Sequence, residues 1–282
     1  MFKSIGRKVY SFDLEWVPDT RAGRLLLGLS DATPELKVWE AMWKAAVGTD
    51  ENPRPFIKTI QSRIVSVAAV IRQENDKGEV TLRLTSLPKN PENEAERNEA
   101  AILKIFLDAL GEHKPQIVGF YSGNADIPIL VQRSIINGLH APGFASRPDK
   151  PWNGVDYFDH RNSEGHIDIS TVGSAYKNTY TLNEMATLSG IPGKLGVAGG
   201  DVAQMWLDGK YSDICHYNQT DAITTYLTWL RIAHFGGFFN DANYQVEQQR
   251  VFDLINSEIK RGGKHLKAFL DAWSFKGAVK PA

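Results

Sequence analysis

The 282-residue chain predicts an α/β domain. Its N-terminal third holds three β-prone segments, two of them joined by a turn signal. Its middle alternates helical and strand periodicities, which is the pattern of α/β folds. Apolar residues make up 42% of the chain, enough for a real core.

Residues 8–14 (KVYSFDL) alternate apolar and polar and read as a strand. Residues 63–72 and 79–87 read as two more, and NDKG at 75–78 makes them a hairpin. Between the first two strands lies a long excursion, 19–62. Its centre (34–47) sets Trp39, Met42, Trp43 and Ala46 on one helical face, either a core stripe or a stacking surface for single-stranded nucleic acid. Residues 93–110 have helical spacing from an asparagine start. A buried strand at 116–122 follows, then a helix at 126–138 that tolerates Pro128 in its first turn. The stretch 138–165 is loop-rich. Short helices are expected near 181–188 and 199–208, a strong one over 212–235, and a helical stretch over 241–273 broken at Gly262–Gly263.

The net charge of -1 argues against a broad basic coat for nucleic acid and leaves room for a local basic groove. Cys215 is the only cysteine, so a disulfide framework and a thiolate metal cluster are excluded. A bound metal must use oxygen or imidazole ligands. No apolar run nears the ~20 residues that span a bilayer, and the first residues lack a leader's apolar stretch. Cytoplasmic residence, with no membrane partner, is the expectation.

Acidic residues carry the candidate chemistry. Asp13 and Glu15 stand two apart in a strand and so share one face. Two carboxylates so placed repel unless a cation lies between them. Asp126 opens a helix directly after a strand, where it serves either as a first-turn acid favoured by the helix dipole or as a metal-side carboxylate. Asn124 is the alternative cap. Asp221 lies in a helix at the edge of the stripe Ile223, Tyr226, Leu227 and Leu230, with Tyr217 one turn back on the same face. His216 is five residues before Asp221. It and Tyr217 differ by about 100° around the helix, so only one of them faces a site at Asp221. Asp168 reads as a structural or turn carboxylate. Lys194, on a glycine-rich loop, is a candidate phosphate contact. Arg133 and Lys177 are weaker ones, and KRGGKHLK (260–267) is either a solvated helix break or an extended basic surface.

The order of these contexts resembles the DEDD superfamily of 3′-5′ exonucleases in its tyrosine subclass. It is closer still to the predicted exonucleases related to the proofreading domain of family-B DNA polymerases. The resemblance rests on FDLEW (12–16), GFYSGNADIPIL (119–130), HIDIS (166–170), residues 181–206 and YNQTDAITTYLTWLR (217–231), and spans roughly 8–235. One motif departs: the family has Phe-Asn-Gly ahead of its second aspartate, and this chain has Phe120-Tyr121-Ser122 with Asn124 closer to Asp126.

The resemblance implies an RNase H-like mixed sheet with antiparallel N-terminal strands, flanked by helices. It implies an exonuclease domain over 1–238, with 19–62 inserted, and a helical C-terminal extension over 239–282. It implies two divalent ions, Mg²⁺ or Mn²⁺, with Asp13 bridging, Glu15 and Asp221 completing one site, and Asp126 holding the second ion. Tyr217 would orient the attacking water, with His216 as the alternative general base. Lys194, Asn124 and Leu14 are the candidate substrate contacts. The expected substrate is a single-stranded 3′ end, DNA ahead of RNA, in isolation or in trans to a replication or repair polymerase. A non-catalytic nucleic-acid-binding module and a metal-dependent hydrolase of another phosphoester are the rival readings.

Overall fold

A computed structural model describes residues 2–150, 152–159, 163–174, 179–196 and 199–273. In chain order the elements are β1 (Lys8–Pro18), α1 (Thr20–Leu27), α2 (Glu35–Ala45), β2 (Ser62–Glu74), β3 (Val80–Leu87), α3 (Glu99–His113), β4 (Gln116–Gly119), α4 (Asp126–Ile136), α5 (Pro142–Ala145), β5 (His166–Asp168), α6 (Leu182–Leu188), α7 (Val202–Leu207), α8 (Tyr211–Phe235), α9 (Asp241–Lys260) and α10 (Leu266–Ala272). The strands form one sheet in the order β3-β2-β1-β4-β5. The first three are antiparallel neighbours, and β4 and β5 run parallel to β1. This mixed sheet flanked by helices is the α/β, RNase H-like arrangement.

β1 is central, and its period of two sorts its side chains between two cores. Tyr10, Phe12 and Leu14 are buried on one face with α3 and α4 residues such as Phe106 and Ile129. Val9 is buried on the other face with α8, α9 and α10. Val17 joins Trp39, Trp43 and Tyr217 in a third cluster, next to that second face. Asp13 and Glu15 belong to the odd set and therefore face α8. Opposite the Glu15–Trp16 step the register slips, and β2 carries an extra residue, Val65. Such bulges raise twist and re-aim side chains, often beside active sites.

Local chemistry sets the helix ends. The Asp19 side chain caps α1, accepting from the Arg21 N–H. Thr181 and Glu184 form a reciprocal capping box on α6. The sequence places the start of α3 near Asn93, but Asn98 is its cap and 94–97 are turns. Asn93 instead accepts from the Ala95 N–H, a local bond that competes with the helix. β4 stops at Gly119, three residues before the expected end. A Cβ at Gly119 would lie 2.5 Å from the Ser122 Cβ, so the chain turns there by using glycine. α1 has no counterpart among the expected elements.

α9 and α10 are not loosely attached. Val251, Ile255, Leu266 and Phe269 are fully buried in one core with Trp229 and Leu230 of α8. Arg72 of β2 and Glu247 of α9 form an ion pair at 2.9 Å with both side chains buried. No helix among the described residues is long and apolar enough to cross a membrane.

Candidate active site

α8 is fixed over β1 where the Ser11 hydroxyl donates to the Ala222 carbonyl at 3.4 Å. That contact sets Asp221 beside Asp13. Asp13, Glu15 and Asp221 each offer an oxygen, and these atoms lie within 4.8 Å of one another. Three carboxylates at that spacing form a hard-oxygen set able to hold a divalent metal.

The electrostatics record the crowding. Burial pushes the Asp13 carboxyl well above the usual range, and the charges of Glu15, Asp221 and Asp126 push it further. Glu15 is raised well above its usual value by burial, then by Asp221 and Asp126. Asp221 is raised by burial, against the pull of Tyr217 and Lys194. A cation among these carboxylates would favour their ionised forms.

Asp126 lies outside the tight triad but within its electrostatic reach. It is the first residue of α4 and is buried. Burial pushes it up to about 7; the Asp168 charge adds to this, and backbone hydrogen bonds from its own amide and from Leu14 oppose it. Asn124 is not the cap of α4. Ala125 occupies that position with no side-chain bond, because Asn124 is exposed on the turn and gives its N–H to the Tyr121 carbonyl.

Tyr217 and His216 diverge as the helical angle requires. Tyr217 is buried, and its hydroxyl bonds toward Asp221. Burial first, then Glu15, Asp221 and Asp13, push its ionisation far above the tyrosine range. His216 turns away and stacks on His265, with ring centroids 3.9 Å apart.

Two clefts open on the acids. One, of about 430 Å³, runs from Asp13 and Asp221 past Phe120, Thr181, Asn183 and Lys194. Lys194 is exposed there, its backbone N–H bonded to Asn183, and its charge lowers all three triad acids. The loop bearing it is tied to α8 by Thr224, whose hydroxyl donates to the Pro192 carbonyl. The second cleft, of about 460 Å³, runs from Asp13, Glu15 and Tyr217 toward Trp43, Arg54 and Phe56. The Leu14 side chain is buried in the α3–α4 core, so its main chain is what borders this cleft. On α2, Trp39 and Trp43 are buried, so that helical stripe is core.

Other sequence candidates lie elsewhere. Arg133 is buried between Asp19 at 2.7 Å and Glu99 at 2.8 Å, and so braces α4. Lys177 falls outside the described residues. Asp168 is a clamp. It accepts from the N–H groups of Tyr121 and Gly123, and from both the N–H and hydroxyl of Ser170. It thereby holds the turn ahead of Asp126, in which Tyr121 sits at φ 58°. The Asp-x-Ser spacing is the sequence signal for its local turn; its grip on residues 121–123 has none. Arg54 and Phe56 were not singled out by the sequence, because exposed cleft walls carry no periodicity; nor was Asn183, and Phe120 entered only as part of a motif.

The family model described as "predicted 3′-5′ exonuclease related to the exonuclease domain of PolB" matches residues 54–273. Asp126, Tyr217 and Asp221 lie inside that stretch; Asp13 and Glu15 precede it and reach the site through β1. No curated protein matches the chain in sequence. Among solved structures, the family B DNA polymerase of the hyperthermophilic archaeon Pyrobaculum calidifontis is similar at 16% identity and a TM-score of 0.46. That match covers 80% of this chain and 24% of the polymerase.

Proposed function

The chain belongs to the family of predicted 3′-5′ exonucleases related to the exonuclease domain of PolB, and we propose that it trims single-stranded nucleic-acid 3′ ends by metal-assisted phosphodiester hydrolysis, with DNA the preferred strand. The observation that carries this reading is the convergence of Asp13, Glu15 and Asp221 within 4.8 Å, with Tyr217 bonded to the last of them. The catalytic unit is residues 1–238, and the helices of residues 239–273 dock on it.

The donor set fits Mg²⁺ or Mn²⁺. Asp13 would bridge two ions, Glu15 and Asp221 would complete one site, and Asp126 would serve the other from its place at the start of α4. Ions held there would stabilise charge on the phosphoryl oxygens and lower the pKa of a bound water. Binding an ion there would favour the ionised forms of carboxyls whose proton affinity is raised. Tyr217 holds its proton at neutral pH, so its role is that of donor and orienting group rather than base. Lys194 stands on the opposite wall, where a positive charge favours a phosphate. A replicative or repair polymerase is a partner to test in trans.

End-labelled single strands of DNA and RNA, incubated with each divalent ion, provide the test. Stepwise loss of mononucleotides from the 3′ end is expected, and Asp13→Ala should slow it about a hundredfold or more. Binding without metal-dependent cleavage would make the chain a non-catalytic module. Turnover of free nucleotides alone would make it a phosphoesterase of another kind.

A further inference from the structure

The second cleft is built in part by the excursion between β1 and β2, which the proposed chemistry leaves unused. Phe56 stands on its wall 70% exposed, a large apolar ring facing solvent. Arg54 lies beside it, its guanidinium 5.2 Å from the centre of the Trp43 ring and 2.6 Å from the Gln204 side-chain oxygen. Among the described residues Arg54 makes no ion pair: Asp208 feels its charge but pairs with Lys210 at 3.2 Å. A free aromatic face and an unneutralised guanidinium thus border a cleft whose other end is Asp13, Glu15 and Tyr217.

We infer that this cleft holds the single strand beside the cleaved phosphodiester, with a base stacked on Phe56 and a phosphate on Arg54. Single-strand binding combines these two elements: aromatic faces that accept any base, and cations that follow the backbone. Arg54 is held in place by Trp43 and Gln204, so little freedom is lost when a phosphate arrives. The cleft is continuous with the acids, so a strand lying in it reaches the triad. A base inside a duplex has no face free for Phe56, and the excursion therefore selects unpaired ends. This inference rests on the exonuclease reading and names the part of the chain that sets its substrate.

The test uses the full chain in an Asp13→Ala background and a fluorescent 12-nucleotide single strand, read by anisotropy. A second set of strands carries an abasic residue at one of the three 3′-terminal positions. Phe56→Ala should weaken binding of the intact strand roughly tenfold. On the strand abasic at the stacked position the same change should cost less than about twofold. Phe56→Trp should restore binding. Arg54→Gln should weaken every strand alike and reduce the salt dependence by about one phosphate contact. No loss with Phe56→Ala, or an equal loss on all abasic strands, would overturn the inference. A wild-type chain that binds through Phe56 yet releases no nucleotide would overturn the exonuclease reading alone. One that trims strands without help from Phe56 would overturn this inference alone.

Discussion

Asp13 and Glu15 are held where their own charges oppose folding. Both carboxyls, with Asp126 and Asp221, bind protons more tightly in the folded chain than in the unfolded one. Without metal, such groups stabilise the fold at acid pH. That stability is lost as pH rises from about 4, the unfolded carboxylate value, through the raised folded values, about 7 for Asp126. Asp13→Asn removes one charge and keeps the shape. It should stabilise the metal-free protein by roughly 1–2 kcal/mol at pH 7.5 and by less at pH 5. Thermal midpoints in chelator at the two pH values check this; a variant less stable than wild type at pH 7.5 would contradict it. The neighbouring pair separates just as cleanly. Tyr217→Phe deletes a hydroxyl bonded to a carboxylate and should lower kcat about 10- to 100-fold. His216→Ala removes a ring that faces His265, not the acids, and should leave kcat within about threefold. Loss of turnover with His216→Ala alone would reverse the assignment.

At the scale of elements, position comes from braces rather than from the acids themselves. β1 supplies two acids on one face because its residues alternate, and this much follows from spacing. Asp126 needs more. Its turn is held by Asp168 across β4–β5, and α4 behind it is braced by Arg133 between Asp19 and Glu99. Asp168→Asn leaves one acceptor oxygen where two were used and puts an NH₂ against an N–H. It should cost about 1–3 kcal/mol of stability. Because Asp126 would then drift, the Mg²⁺ or Mn²⁺ concentration for half-maximal hydrolysis should rise while the strand's own affinity stays unchanged. An unaltered metal requirement would show that the clamp serves the fold alone.

At the scale of the whole molecule, the helices after residue 238 complete a core. Arg72 in β2 is buried against Glu247 in α9, and Trp229 and Leu230 pack with Val251 and Phe269. A chain ending at residue 238 loses Glu247 and uncovers Arg72, which keeps only Glu74 at 3.4 Å. It also bares a large apolar face, so cooperative unfolding in denaturant should disappear. A truncated chain with a sharp transition and full activity would instead make the appendage dispensable.

The sequence by itself determined the class of the fold, most strands and helices, and the acids. Each depends on spacing within a few residues: two along β1, four between Tyr217 and Asp221, the turn at 75–78. What only the tertiary structure decided depends on segments far apart in the chain. It turned Tyr217 toward the acids and His216 toward His265. It made Asp168 a clamp, Arg133 a brace and Leu14 a core side chain, and it set Arg54 and Phe56 on a cleft wall. It ended β4 early and moved the start of α3 to Asn98, because a glycine-dependent turn and local asparagine bonds outweighed the apolar pattern. Periodicity reports which face of an element is apolar. It does not report which other element that face meets, and the chemistry of this site lies between elements.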